Sequence, residues 1–408
     1  MGFSIEQECP QCGAPIELEE TDHLIRCPYC NVNNFLYTRD YFRFLLPQKV
    51  SDKDTLYAPY MRFKGTVYFC RGTSIGHRIV DITRQGMAFK QLPMSLGLRP
   101  QVLKMRFINP DVAGSFIKCS QRPADILGKV AKHTLAFGSG KLIHRAYIGE
   151  ALSLIYLPLF VQKNRVFDAV TNRPIAKLPR GEDIFAPAID DSPRWRMAFM
   201  ATICPQCGWN LEGERDSVAL TCKNCDTVWE ASEGKFIQVG FRAVPGKGED
   251  SIYLPFWKIC ARDSGLKINS YADFIRLTNQ PKVIQRQWEE QGMAFWIPAF
   301  KIRPKIFLRL ARQMTVSQRN FEMEEEIPKK NLYPVTLPQS EAAQSMKITL
   351  ASSVLIKKKI FALLPRVNFT IEESTLVYLP FNDTGHEVIQ EHMRVGINKN
   401  ALKLGRSL

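Results

Sequence analysis

Eight of the eleven cysteines fall into two clusters that share one spacing. Cys9 and Cys12 are followed by Cys27 and Cys30. Cys204 and Cys207 are followed by Cys222 and Cys225. Each cluster reads CxxC, fourteen residues, CxxC. Two residues between cysteines let one tight turn aim two sulfurs at a single ion, and the hairpin between the pairs supplies the other two corners of a tetrahedron. Gly13 and Gly208 follow the first turns, where a positive φ is useful. The intervening segments are short and strand-like: Ile16/Leu18 with Leu24/Ile25, and Trp209/Leu211 with Val218/Leu220. The other three cysteines, Cys70, Cys119 and Cys260, are isolated, and the expectation for them is burial as inert thiols.

Paired CxxC motifs mean metal rather than disulfides in a reducing compartment. The start, MGFSIEQECP, has no basic stretch followed by an apolar core, so a cytoplasmic location is expected. No apolar run approaches the ~18 residues of a spanning helix.

Each cluster resembles a zinc ribbon, the rubredoxin-like module, over about 25 residues. The first knuckles, CPQCG, match that pattern, whereas the second, CPYCN and CKNCD, lack the following glycine. The resemblance implies Zn²⁺, two per chain, held by Cys9, Cys12, Cys27 and Cys30 and by Cys204, Cys207, Cys222 and Cys225. Four thiolates leave no open coordination position, so the implied role is structural. Iron in a rubredoxin-like redox protein is the alternative, and the missing second glycines favour zinc.

Further matches recur in the same order: LYAPYMRF and IYLPFWKI, QGMAF twice, an apolar–Arg–Pro segment twice, then LSLIYLPLF and STLVYLPF. Their order implies a tandem duplication, two copies being too few for a solenoid. The expected fold is α+β and β-rich, each half a zinc ribbon followed by hairpin-rich units with few helices. The expected domains are ribbon 1 (1–40), body 1 (41–200), ribbon 2 (201–235) and body 2 (236–408). The Tyr-x-Pro runs read as strands turning at Lys64-Gly65 or Lys163-Asn164. Their prolines point to edges or bulges, and Tyr57, Tyr156, Tyr253 and Tyr378 to the core. Tyr271–Arg276 and Pro281–Gln291 carry helical spacing. Phe321–Lys330 reads as a charged linker and Ser340–Met346 as an exposed polar stretch.

The formal charge is +15. Residues 1–30 hold six acids and one base, and residues 201–232 five acids and two bases. The ribbons are therefore acidic and poorly suited to gripping phosphates. The bases gather in the Arg-Pro segments, Arg84–Arg106 and Lys301–Arg319, which contain no acid. A helix beginning at Pro304 would place Lys305, Arg309 and Arg312 on one face.

No catalytic constellation is present: GSGK at 138–141 fails as a phosphate loop, and HExxH and GxSxG are absent. The sequence therefore points to a non-enzymatic zinc-binding interaction or scaffold protein with protein partners. The alternative is a protein that binds nucleic acid or an anionic membrane surface through Arg99, Lys104, Arg106, Arg303, Lys305, Arg309 and Arg312.

Overall fold

The computed structural model describes residues 3–49, 55–109, 111–134, 140–178, 189–190, 197–246, 248 and 250–406. Contacts divide the chain into two compact units. The first comprises 1–64, 80–136 and 150–201. The second comprises 65–79, 137–149 and 202–408. Both are β-rich. Among the described residues no helix is long and apolar enough to cross a membrane.

The amino-terminal half contains β1 (Ser4–Glu8), β2 (Pro15–Glu19), β3 (Leu24–Arg26), β4 (Asn33–Tyr37), β5 (Phe42–Leu45), β6 (Leu56–Arg71) and β7 (Ser74–Gln85). A short α1 (Arg99–Val102), β8 (Met105–Phe107), β9 (Ser115–Ile117) and α2 (Pro123–Thr134) follow. It closes with β10 (Leu142–Gln162), β11 (Arg165–Asp168), β12 (Arg173–Lys177), β13 (Ile189–Asp190) and β14 (Ala198–Ala201). The main sheet runs β13-β9-β6-β10-β5-β8-β1-β2, and β3, β4 and β14 form a second sheet.

The carboxy-terminal half begins with β15 (Ala219–Cys222), β16 (Thr227–Ser232), β17 (Lys235–Val239), β18 (Phe241–Ala243) and β19 (Ile252–Ser264). After α3 (Tyr271–Thr278) come β20 (Ala294–Pro298), α4 (Pro304–Ser317), α5 (Gln339–Ser353) and α6 (Lys357–Leu363). The last elements are β21 (Asn368–Asp383), β22 (Glu387–Gln390), β23 (Val395–Asn398) and α7 (Lys399–Gly405). The ribbon strands β15, β16 and β17 form one sheet. A second runs β20-β19-β21-β22-β23, with β18 beside β21.

The two long-strand systems share register. β5 runs parallel to β10 with Leu45 opposite Tyr156, and β18 runs parallel to β21 with Ala243 opposite Tyr378. The next amide then donates to the tyrosine carbonyl in each, Leu46 to Tyr156 and Val244 to Tyr378. Beyond the tyrosine the following meanders begin one residue apart, with Leu159 facing Asp168 three residues on and Asn382 facing Ile389 four residues on.

This arrangement explains the prolines, which do not mark edge strands. β10 pairs with β5 up to Tyr156 and with β11 from Leu159, and between these rungs the Pro158 carbonyl accepts the Ala169 amide at 2.9 Å. Pro380 falls between β18 at Tyr378 and β22 at Asn382. Pro255 lies in β19, inside the sheet, one residue past the last rung that β20 makes, at Phe256. Ala169 and Ala299 donate to the carbonyls of Pro158 and Pro255, and their own carbonyls are already taken, by the Lys49 amide and by the Thr336 and Leu337 amides, so the missing proline donor costs little.

Other expectations are corrected. β6 continues through Lys64-Gly65 and turns only after Arg71, whereas the turn at Lys163-Asn164 forms with both residues at positive φ. Pro281–Gln291 holds only a 3₁₀ turn at Arg286–Trp288. Its Pro281 and scattered polar residues leave no continuous apolar stripe, and Trp288 packs instead on Tyr271, 4.9 Å between rings. Ser340–Met346 lies in α5, with Glu341, Ala342, Ser345 and Met346 buried. The polar residues misled there because Ser345 and Ser353 satisfy their hydroxyls on helix carbonyls. Cys70 is buried, whereas Cys119 and Cys260 are half-buried. Burial pushes all three thiols up, Cys70 to about 12, so they stay protonated at neutral pH. In GSGK, Gly138 and Ser139 lie outside the described residues.

In the first unit, Tyr57 stacks on Phe116 at 4.6 Å, and Phe116 meets Tyr156 edge-on at 5.1 Å. A charged knot crosses that core. Arg62, 1% exposed, donates to both carboxylate oxygens of Asp81 at 2.8 Å and to Glu20. In the second unit, Trp257 and Trp296 are each 1% exposed, and the Trp257 indole N–H donates to the Leu337 carbonyl at 2.9 Å. Tyr68, from the 65–79 segment, donates its hydroxyl to the Pro304 carbonyl at 3.1 Å.

Replacing Arg62 by Met removes the hydrogen-bonded counter-charge of Glu20 and Asp81 and leaves only Lys64, 3.8 Å from Glu20, so chemical denaturation should show a loss of about 3–5 kcal/mol. Replacing the exposed Lys104 by Ala, which removes surface pairs to Glu6 and Glu17, should cost under about 1 kcal/mol. Burial, aided by Lys347, holds His144 down at about 4, and its buried Nε2 has no hydrogen-bond partner among the described residues. The unfolded chain therefore takes up a proton first on acidification. The contribution is intact above the ordinary histidine value of about 6.5 and is lost as pH falls from there toward 4. H144F should flatten that limb of a stability–pH profile.

Candidate metal centre

Each cluster is a hairpin pair whose ends converge. In the first, β1 leads into the Cys9–Cys12 turn, and β3 and β4 flank the Cys27–Cys30 turn. In the second, β15 and β16 flank the Cys222–Cys225 turn in the same way. The first turns close identically: Gly13 N–H donates to Cys9 O and Gly208 N–H to Cys204 O, both at 2.9 Å. Gly13 and Gly208 have φ of +73° and +75°. At the second turns Asn31 and Asp226 stand at +57° and +49°. Asn and Asp enter this region more readily than other side-chain-bearing residues. The residue after the second knuckle thus does glycine's work, and its identity does not separate zinc from iron.

The four sulfurs of each cluster lie within 4.8 Å of one another. Cys9 and Cys30 are 3.8 Å apart and Cys12 and Cys27 3.7 Å. The matching pairs in the second cluster, Cys204 with Cys225 and Cys207 with Cys222, stand at 3.6 and 3.5 Å. A tetrahedron with metal–sulfur bonds of ~2.3 Å has edges of ~3.8 Å, whereas a disulfide needs ~2.05 Å. The donor set therefore fits a four-coordinate thiophilic ion.

Backbone amides are aimed at the sulfurs. Those of Tyr29 and Cys30 meet Cys27, those of Gln206 and Cys207 meet Cys204, and those of Ala14 and Trp209 meet Cys12 and Cys207. The Cys30 and Tyr29 amides, against burial, draw Cys27 down to about 6. Against burial, the Cys207 and Gln206 amides draw Cys204 down to about 6. Cys12 keeps a lowering amide bond from Ala14, yet burial and the thiols of Cys30, Cys27 and Cys9 push it up to about 12. Four thiols this close do not all ionise on their own; a divalent cation in their midst reverses the balance.

One outer partner went unnoticed in the sequence. The Trp229 indole N–H donates to Thr227 Oγ1 at 2.8 Å. The same oxygen lies 3.2 Å from Cys225 Sγ and 3.8 Å from Cys204 Sγ, and with those sulfurs as thiolates the hydroxyl is the donor. The corresponding position of the first cluster is Val32, which has no hydroxyl. Also missed were the apolar side chains at the knuckles: Tyr29 is 66% exposed, Trp209 59% and Ile203 52%. Their position inside or next to a metal turn, which has no core of its own, was the available signal.

The basic residues separate into two groups. Arg99 is paired with buried Asp168 at 2.7 Å, and Lys104 with Glu6 and Glu17. Arg106, on β8, stands opposite Glu6 of β1. In the second unit α4 begins at Pro304, as the sequence implied, with Phe307 and Leu310 buried. Arg303, Lys305, Arg309 and Arg312 are exposed along it, Arg309 donating to the Gly396 carbonyl.

No protein-family model, curated protein or solved structure matches this chain. The functional assignment accordingly rests on its two four-cysteine metal-binding geometries.

Thr227→Val should weaken metal retention at the second site by about tenfold or more, with the first site unchanged, in competition against a chromophoric chelator. Cys222→Ser should reduce bound metal from two ions per chain to one by elemental analysis.

Proposed function

We propose that the chain is a non-enzymatic zinc protein in which two closed four-thiolate ribbons brace surfaces that bind other proteins. The observation that carries this reading is the pair of sulfur tetrahedra. All four corners are cysteine, so no position is left for water or substrate, and the ion acts as a brace. The interaction half of the reading is supported by Trp209 and Ile203, which flank the Cys204 turn and are more than half exposed. A large exposed tryptophan on a rigid, metal-fixed turn is the side-chain type that dominates binding energy at protein interfaces. The shared proline positions and strand registers support a duplication as the origin of the two halves.

Elemental analysis of the purified chain should give two zinc ions and no visible absorption. Iron with thiolate bands would overturn the structural-zinc reading. Trp209→Ala should retain both ions while losing the proteins that co-purify with the native chain, compared side by side by mass spectrometry. Identical sets of co-purifying proteins would remove Trp209 from the interface.

A further inference from the structure

Two loops of the second unit carry apolar side chains that the core does not use. Val283, between α3 and the 3₁₀ turn, is 89% exposed. Leu355 and Ile356, between α5 and α6, are 57% and 58% exposed. The loops are tied together: the Leu355 amide donates to the Thr278 carbonyl at 3.0 Å, and the Gln280 side-chain amide donates to the Ser353 carbonyl. Three branched aliphatic side chains thus stand exposed on two hydrogen-bonded loops.

Their surroundings are basic. Residues 279–286 contain Lys282 and Arg286, residues 353–366 contain Lys357, Lys358, Lys359 and Arg366, and neither stretch holds an acid. Lys282 is spent internally, its ammonium donating to Tyr271 Oη and the Val316 carbonyl, both at 2.7 Å. Arg286, Lys358, Lys359 and Arg366 are exposed and make no ion pair among the described residues. Of the acids that follow the two stretches, Glu289 is paired with Arg276 and Glu372 with Arg262, while Glu290 and Glu373 stand exposed beside them.

We propose that these two loops dock on the surface of an anionic lipid bilayer, Val283, Leu355 and Ile356 entering the interfacial region while Lys358, Lys359, Arg286 and Arg366 meet the headgroups. Aliphatic tips ringed by free cations gain twice at such a surface, from apolar transfer and from the negative surface potential. A single-stranded nucleic acid would instead call for stacking aromatics, and the aromatic here, Trp288, is packed on Tyr271. The surface uses none of the eight clustered cysteines and none of the basic residues on α4. It therefore stands apart from the metal-brace reading and goes beyond it.

Flotation of the full zinc-loaded chain with vesicles tests the proposal. The chain should float with phosphatidylcholine vesicles containing about 30% phosphatidylserine and remain behind with pure phosphatidylcholine. Val283→Ser/Leu355→Ser/Ile356→Ser should lower partitioning by about tenfold or more, and Lys358→Glu/Lys359→Glu by about twentyfold or more. All substituted side chains are exposed, so two bound zinc ions and an unchanged circular dichroism spectrum should accompany each loss. Trp209→Ala should float like the parent, which separates this surface from the protein-docking one. Absence of flotation, equal flotation with neutral vesicles, or a triple-serine chain that floats undiminished would overturn the proposal. So would a lysine-reversed chain that loses single-stranded DNA while keeping the vesicles.

Discussion

Four sulfurs confined within 4.8 Å set the terms for both ribbons. Without a cation, amide hydrogen bonds pull some of the thiols toward thiolate while crowding holds others protonated, and the cluster is internally frustrated. With a divalent ion all four become ligands and the hairpins lock. Each ribbon is anchored to its unit, β1 beside β8 in the main sheet and Ala219 and Val228 in the second unit's core, and the ion fixes the cysteine turns that lie outside those contacts. The exposed Tyr29, Ile203 and Trp209 follow from the same constraint. A turn fixed by metal need not bury its neighbours to hold its shape, and those neighbours are released for contact with something else.

The metal ligands could be read from the sequence because chelation imposes a spacing, and spacing survives in one dimension. Tyr57, Tyr156 and Tyr378 were legible as core for a similar reason, being set in repeated apolar runs, whereas Tyr253 is only half-buried at the edge of its core. The extent of β6 was not. Gly65 looked like a turn, yet strand pairing on either side carries it straight through. α5 was equally opaque, because Ser345, Thr349 and Ser353 are buried on a helix whose sequence looks polar. Which of the cations were free was a third blind spot. Arg99 and Lys104 stood out in an acid-free run, but their carboxylates come from segments distant in sequence, Asp168, Glu6 and Glu17.

The proline positions join local chemistry to topology. Pro158 and Pro380 each follow a Tyr-x pair; Pro380 lies between the last β18 rung and the first β22 rung, and Pro158 faces Ala169, whose carbonyl is already taken by the Lys49 amide. A residue with no amide hydrogen is tolerated there because nothing waits to receive one. It also discourages a foreign strand from pairing with that stretch.

The division of the chain between units has a consequence for synthesis. Tyr68 and Cys70 are fully enclosed within the second unit, and the hydroxyl of Tyr68 rests on the carbonyl of Pro304. A ribosome releases Tyr68 more than two hundred residues before that acceptor exists. The first half therefore emerges with a segment whose final surroundings are still untranslated. It must be kept from the wrong partners for as long as that takes, which at ~5–20 residues per second is tens of seconds.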